Sequence, residues 1–155
     1  MIIFRMVTSL RAHFRVRSTE WLLAGLLANF GRVLLDPHPT FEGASYAELA
    51  RFATEDHWGW ACLVAGGLRL GALFVNGSLY PSYWARAGMA FVSCFFWAEI
   101  SLGFFTVGTV PTGLAIYPLL LLAEVYNVGC AFKDAGQAGY LRAARKAGTG
   151  GSGRW

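Results

Sequence analysis

Residues 87–132 hold two apolar runs, 87–107 and 112–132, joined by the turn Gly108-Thr109-Val110-Pro111. As a helix each run reaches ~30 Å at 1.5 Å per residue, the thickness of a bilayer's hydrocarbon core. In lipid the backbone must satisfy its own polar groups, which a helix does within one segment. The stretch therefore predicts a hairpin of two membrane helices. Each run carries one carboxylate near its middle, Glu99 in the first and Glu124 in the second.

The rest of the chain agrees with lipid as the solvent. It is 55% hydrophobic and 14% charged, against about 25% charged residues in an ordinary soluble domain. Its length suits one domain. The net charge of +4 is not a nucleic-acid stripe, because the positive residues gather at the two ends of the chain. Between Asp36 and Asp56 the loop carries Asp36, Glu42, Glu48, Glu55 and Asp56 against Arg51. The tail 133–155 has five basic residues against Asp134, and residues 1–20 have four arginines against Glu20. By the positive-inside rule both termini are expected in the cytoplasm, and the acidic loop outside.

Two further spans complete an all-α bundle, with four transmembrane helices expected at about 19–36, 58–75, 87–107 and 112–132. The first is short and contains Arg32, which is expected to snorkel or to pair with Asp36. No cleavage site of small residues follows it closely, so it reads as an uncleaved anchor. The second opens on Trp58 and Trp60, as an aromatic belt would, and buries Arg69. Pro118 lies inside the fourth run, where a kink is expected. After Phe132 the chain reads as a basic cytoplasmic tail with a flexible glycine-rich end.

Shorter elements flank these spans. Ile3, Val7, Leu10 and Phe14 recur at helical spacing among arginines. That fits either a short amphipathic helix on an anionic surface or a basic lead-in that sets topology. Asp36-Pro37-His38-Pro39 stops the first span. Ser45 and Glu48 have capping-box spacing and predict a short extracytoplasmic helix.

Buried charge is the main chemical lead, because ionisable residues in a membrane are costly and face one another or a cavity. Counted from the expected outer ends, Arg69 lies ~16 Å deep and Glu124 ~18 Å, so they are expected to pair. Glu99 at ~12 Å and Arg32 at a shallower level make a second, longer pairing. The pairs either lock the bundle, or Glu99 or Glu124 binds a proton or cation. Gly67 and Gly71 have the Gly-x-x-x-Gly spacing that lets helices approach, within the chain or in a homo-oligomer. Ser93, Ser101, Asn29 and Asn127 are expected to hydrogen-bond between helices.

Catalytic patterns are not found. There is no phosphate-binding glycine loop, no nucleophile elbow and no HExxH motif. Cys62, Cys94 and Cys130 fall in different apolar runs and give neither a disulfide framework nor a metal site. No cofactor, metal or nucleic acid is expected, and the bilayer is the expected partner.

The arginine-rich lead-in to Glu20-Trp21-Leu22-Leu23, the Trp58-Gly59-Trp60 entry, the helix from Ala115-Ile116-Tyr117 to Ala123-Glu124, and the basic tail together resemble small four-span membrane proteins of bacteriophages and prophages. The resemblance implies the bacterial inner membrane and carries over no site residues. Three non-enzymatic roles follow as alternatives: a holin-like, membrane-perturbing protein, a small ion-coupled transporter or channel subunit, and an accessory or exclusion protein.

Overall fold

The computed structural model describes residues 17–38, 40–43, 46–78, 83–106 and 110–149. The N-terminal amphipathic segment, Ser45 of the capping box and residues 150–155 lie outside them. Among the described residues the fold is all-helical: α1 (Ser18–Leu34), α2 (Ala47–Phe52), α3 (Glu55–Ser78), α4 (Tyr83–Phe105), a 3-10 turn (Thr112–Ala115) and α5 (Tyr117–Thr149). Three helical segments are long and apolar enough to cross a membrane: Glu55–Asn76, Trp84–Phe105 and Thr112–Leu141. At 17 residues, α1 is shorter than these. Leu68, Phe91, Leu119 and Val125 face outward from the bundle, a surface suited to lipid rather than water.

The helices associate as two tight pairs, α1 with α3 and α4 with α5, which meet along α3 and α4. The first pair is drawn together by glycines. A Cβ at Gly31 would sit 2.4 Å from the Leu63 backbone nitrogen, and one at Gly66 2.4 Å from the Ala28 backbone nitrogen. Gly59 meets Leu35 in the same seam. Gly67 and Gly71 are not part of it: a Cβ at either position meets nothing within 4 Å. One residue on from Gly66 turns a helix by about 100°, which carries Gly67 out of the contact and Gly71 with it.

Between the pairs, one half of the interior is apolar. Leu27, Leu34, Trp58, Cys62, Trp97, Ile100 and Phe104 are buried together. Phe30, Trp97, Phe104 and Tyr117 join through ring contacts, with Trp97 and Tyr117 stacked at 6.1 Å. The short α2 closes this end, and Trp58 Nε1 donates to the Leu49 carbonyl at 3.0 Å. The preceding loop is tied down by Glu55, whose carboxylate accepts the backbone N–H groups of Thr40 and Phe41 at 2.8 and 3.2 Å.

Three local features depart from the sequence reading. Pro118 does not kink a span. The 3-10 turn absorbs residues 112–115, and α5 starts at Tyr117, so Pro118 falls in the first helical turn, where no intrahelical N–H is required of it. The last helix also does not end at Phe132 but continues to Thr149. Ala135, Gln137, Ala138 and Leu141 are good helix formers, so the loss of apolarity marks no helix end. Of the four polar residues expected to bridge helices, Asn127 does so among the described residues, through Thr19. Ser93 and Ser101 donate to carbonyls four residues back, and Asn29 accepts from Arg32 within α1.

Candidate functional site: a buried polar column

The other half of the interior is polar, and α5 supplies its spine. Glu124, Asn127, Ala131 and Asp134 recur at intervals of three and four and so share one face. The first three are buried, with Glu124 at 0% exposure. From Glu124 to Asp134 the helix rises ~15 Å. Each polar position on this face meets a partner from another helix.

At the deep end, Arg69 of α3 forms an ion pair with Glu124 through Nη1 and Oε1. Their side chains are 2% and 0% exposed. Sequence depth alone placed these two at one level, and the antiparallel packing brings them face to face. Neither group is fully satisfied, since Arg69 Nη2 and Glu124 Oε2 are buried without hydrogen-bond partners. One turn along α5, Asn127 Oδ1 accepts from Thr19 Oγ1 at 3.1 Å. Asn127 Nδ2 is likewise buried and unpartnered. Most buried polar atoms in folded proteins find a protein or ordered-water partner, and here three without a protein partner belong to Arg69, Glu124 and Asn127, at neighbouring levels of this column.

At the other end stands a four-residue charge network. Arg86 donates from Nε to Glu20 Oε2 at 3.1 Å and from Nη1 to Asp134 Oδ2 at 3.0 Å. Arg17 Nη2 reaches the same Asp134 oxygen at 3.1 Å. Two guanidinium groups thus neutralise two carboxylates. Exposure grades outward along the network: Glu20 and Arg86 are buried, whereas the Asp134 side chain is 35% exposed. The column therefore starts at a partly open acid–arginine cluster, passes Thr19 and Asn127, and ends at the buried Arg69–Glu124 pair.

The second pairing read from the sequence does not form. Arg32 lies on the exposed side of α1 and donates from Nε to Asn29 Oδ1 at 3.1 Å. It does not meet Glu99. Buried Leu27, Gly31 and Leu34 set the inward face of α1, and Arg32 is turned off it. Nor does Arg32 pair with Asp36, which instead accepts from the His38 backbone N–H at 3.1 Å. The His38 ring and backbone bonds hold the Asp36 carboxyl below its ordinary range, with a smaller contribution from the Arg32 charge. Glu99 is half-buried on α4, beside α2.

Sequence position does not reveal the charge network, because Glu20 belongs to the basic lead-in and Asp134 to the tail, on opposite sides of the apolar runs. The spacing of Glu124, Asn127 and Asp134 on one helical face was the available signal. Cys62 is buried and Cys94 and Cys130 half-buried, all free thiols. Among the described residues no three His, Cys, Asp or Glu side chains gather to hold a metal ion.

Fold and site together define a helical membrane protein with a charged interior. Comparison with protein-family models, with curated proteins and with solved structures gives no match.

Proposed function

We propose that this chain is a multi-pass protein of the bacterial inner membrane that acts without enzymatic chemistry, taking up a proton or small cation at Glu124 through the polar column. The single observation that carries the reading is the set of buried, unpartnered polar atoms on Arg69, Glu124 and Asn127. A strut built only to hold helices together would be expected to satisfy its polar atoms, because each open valence in low dielectric is costly. Here the open valences follow one another along a face that ends in a partly exposed charge cluster.

In this reading α1 is a fourth crossing. As a helix it spans ~26 Å, and its glycine seam with α3 keeps it beside a full-length span. The basic ends lie on the cytoplasmic side and the acidic loop outside. The Arg86 cluster then forms the cytoplasmic mouth, and the aromatic plug under α2 closes the outer half.

The test is reconstitution into liposomes with a trapped pH indicator. An imposed potential should drive proton entry with the wild-type protein, and the charge-balanced double variant Arg69→Met with Glu124→Met should abolish it while eluting as a folded species. Equal flux in both would overturn the reading.

One observation favours a second reading, a holin-like, membrane-perturbing oligomer of phage or prophage origin. Gly67 and Gly71 stand on an outward face with open space above them, where another copy has room to approach. Controlled expression with an impermeant dye tests it. Abrupt growth arrest with dye entry, cancelled by Gly67→Leu, supports a lesion, and steady growth with an intact membrane sinks it.

A further inference from the structure

A cavity of about 270 Å³ lies between α2 and α4, away from the polar column. Glu99, Leu102 and Gly103 present one face of α4 to it, and Thr106, just past the helix end, continues the row. From α2 come Glu48, Leu49 and Phe52. Two of these lining residues are charged, and both are carboxylates.

The two acids are not equivalent. Glu48 is matched by Arg51, whose Nη1 lies 3.0 and 3.3 Å from its two oxygens. Glu99 has no ion-pair or hydrogen-bond partner among the described residues, and it sits six residues from the end of α4. The Thr106 hydroxyl is already committed to the Gly103 carbonyl at 2.9 Å. The cavity thus has one carboxylate without a partner among the described residues, Glu99, in a lining that also holds the Arg51-bound Glu48, Thr106 and the apolar Leu49, Phe52 and Leu102. At its edge, the Phe52 ring is 74% exposed.

These features select the ligand. A hard metal ion wants six or more oxygen ligands or a retained water shell, and of the oxygen-bearing side chains in the lining Glu48 is bound to Arg51 and Thr106 to the Gly103 carbonyl, which leaves Glu99. A zwitterionic lipid headgroup can offer its ammonium to Glu99, but its own phosphate comes with it and offsets part of the attraction. A cation that carries its own apolar surface meets both needs, with the charge against Glu99 and an aromatic face available at Phe52. We propose that this cavity binds an organic monocation with an apolar body, held by Glu99 and packed against Leu49, Leu102 and Phe52. The proposal rests on the α2–α4 cavity and stands whether or not Glu124 carries protons.

The test uses the full chain in maltoside micelles, which hold no competing ammonium group. The probe is 4-fluorobenzyltrimethylammonium, followed by fluorine line broadening. A neutral isostere with carbon in place of nitrogen serves as its control. Glu99→Gln should weaken the ammonium probe at least tenfold and leave the neutral isostere unchanged. Phe52→Ala and Leu102→Trp alter exposed side chains, so they test the cavity without depending on the fold of the Glu99 variant. The first should weaken binding severalfold, and the second should block it by filling the space. Wild-type affinity for the ammonium probe in Glu99→Gln would overturn the proposal. So would unchanged binding in both cavity variants, or an isostere that tracks the ammonium probe.

Discussion

Gly66 of α3 lies so close to Ala28 of α1 that an added Cβ would fall 2.4 Å from the Ala28 nitrogen and 2.8 Å from its Cα. The opposing atoms are backbone, so no side-chain rotation relieves the overlap. Gly66→Leu must push the two helices apart. Overpacking of this kind costs about 1–3 kcal/mol or more. Gly67→Leu, one residue away with nothing within 4 Å, should stay within about 0.5 kcal/mol of wild type. Thermal unfolding followed by size-exclusion in detergent checks the pair. Equal loss in both variants would remove the glycine seam from the account of helix packing.

The buried Arg69–Glu124 pair makes a different kind of prediction. Removing one partner strands the other charge, whereas removing both leaves no charge to solvate. Arg69→Met alone should therefore destabilise by about 3–5 kcal/mol, while Arg69→Met with Glu124→Met should recover most of that loss. Denaturant titration in nanodiscs of four proteins, the wild type, Arg69→Met, Glu124→Met and the double variant, completes a double-mutant cycle that measures the coupling. Additive losses would mean that the two side chains do not depend on each other.

These contacts mark where sequence reasoning reached and where it stopped. Depth along a span follows from counting residues at a fixed rise, so the shared level of Arg69 and Glu124 was legible. Rotation about the helix axis is not legible in this way, and depth alone points Arg32 at Glu99 although it faces away from the interior. The choice among glycines failed for the same reason: a four-residue spacing marked Gly67 and Gly71, but the side of α3 that meets α1 carries Gly59 and Gly66. Apolar runs are also not helix lengths. They report where lipid ends, and α5 continues through Lys133 and Asp134, which put a column residue in the tail. The cavity at Glu99 depends on how α2 lies across α4, a tertiary fact with no local signature.

Outside the spans, Asp36 gives a pH prediction. The His38 ring Nδ1 at 2.7 Å and the His38 backbone N–H favour its ionised form, and its pKa is lowered from 3.8. A depressed carboxyl contributes stability that is present above the unfolded pKa and is lost as pH falls through the folded value. The window is thus acidic, from about pH 3.8 downward. Carbon NMR of labelled aspartate should show Asp36 titrating below the ordinary range. His38→Ala should move it back up, and an unmoved midpoint would assign the shift elsewhere.

Arg86 is the hub of the charge network, and its two contacts should differ in worth. Glu20 is 5% exposed and receives both Nε and Nη2 of Arg86, whereas the Asp134 side chain is 35% exposed. A buried carboxylate stripped of its counter-charge is expensive, so Arg86→Met should cost about 3–5 kcal/mol. Asp134→Asn leaves the inner Arg86–Glu20 pair intact and weakens a contact that solvent already screens, so it should cost no more than about 1 kcal/mol. Adding Glu20→Gln to Arg86→Met removes the stranded charge and should restore part of the stability. Unfolding of the four proteins under one denaturant series decides the matter. If Asp134→Asn were as damaging as Arg86→Met, the outer pair, not the buried one, would hold this end of the bundle together.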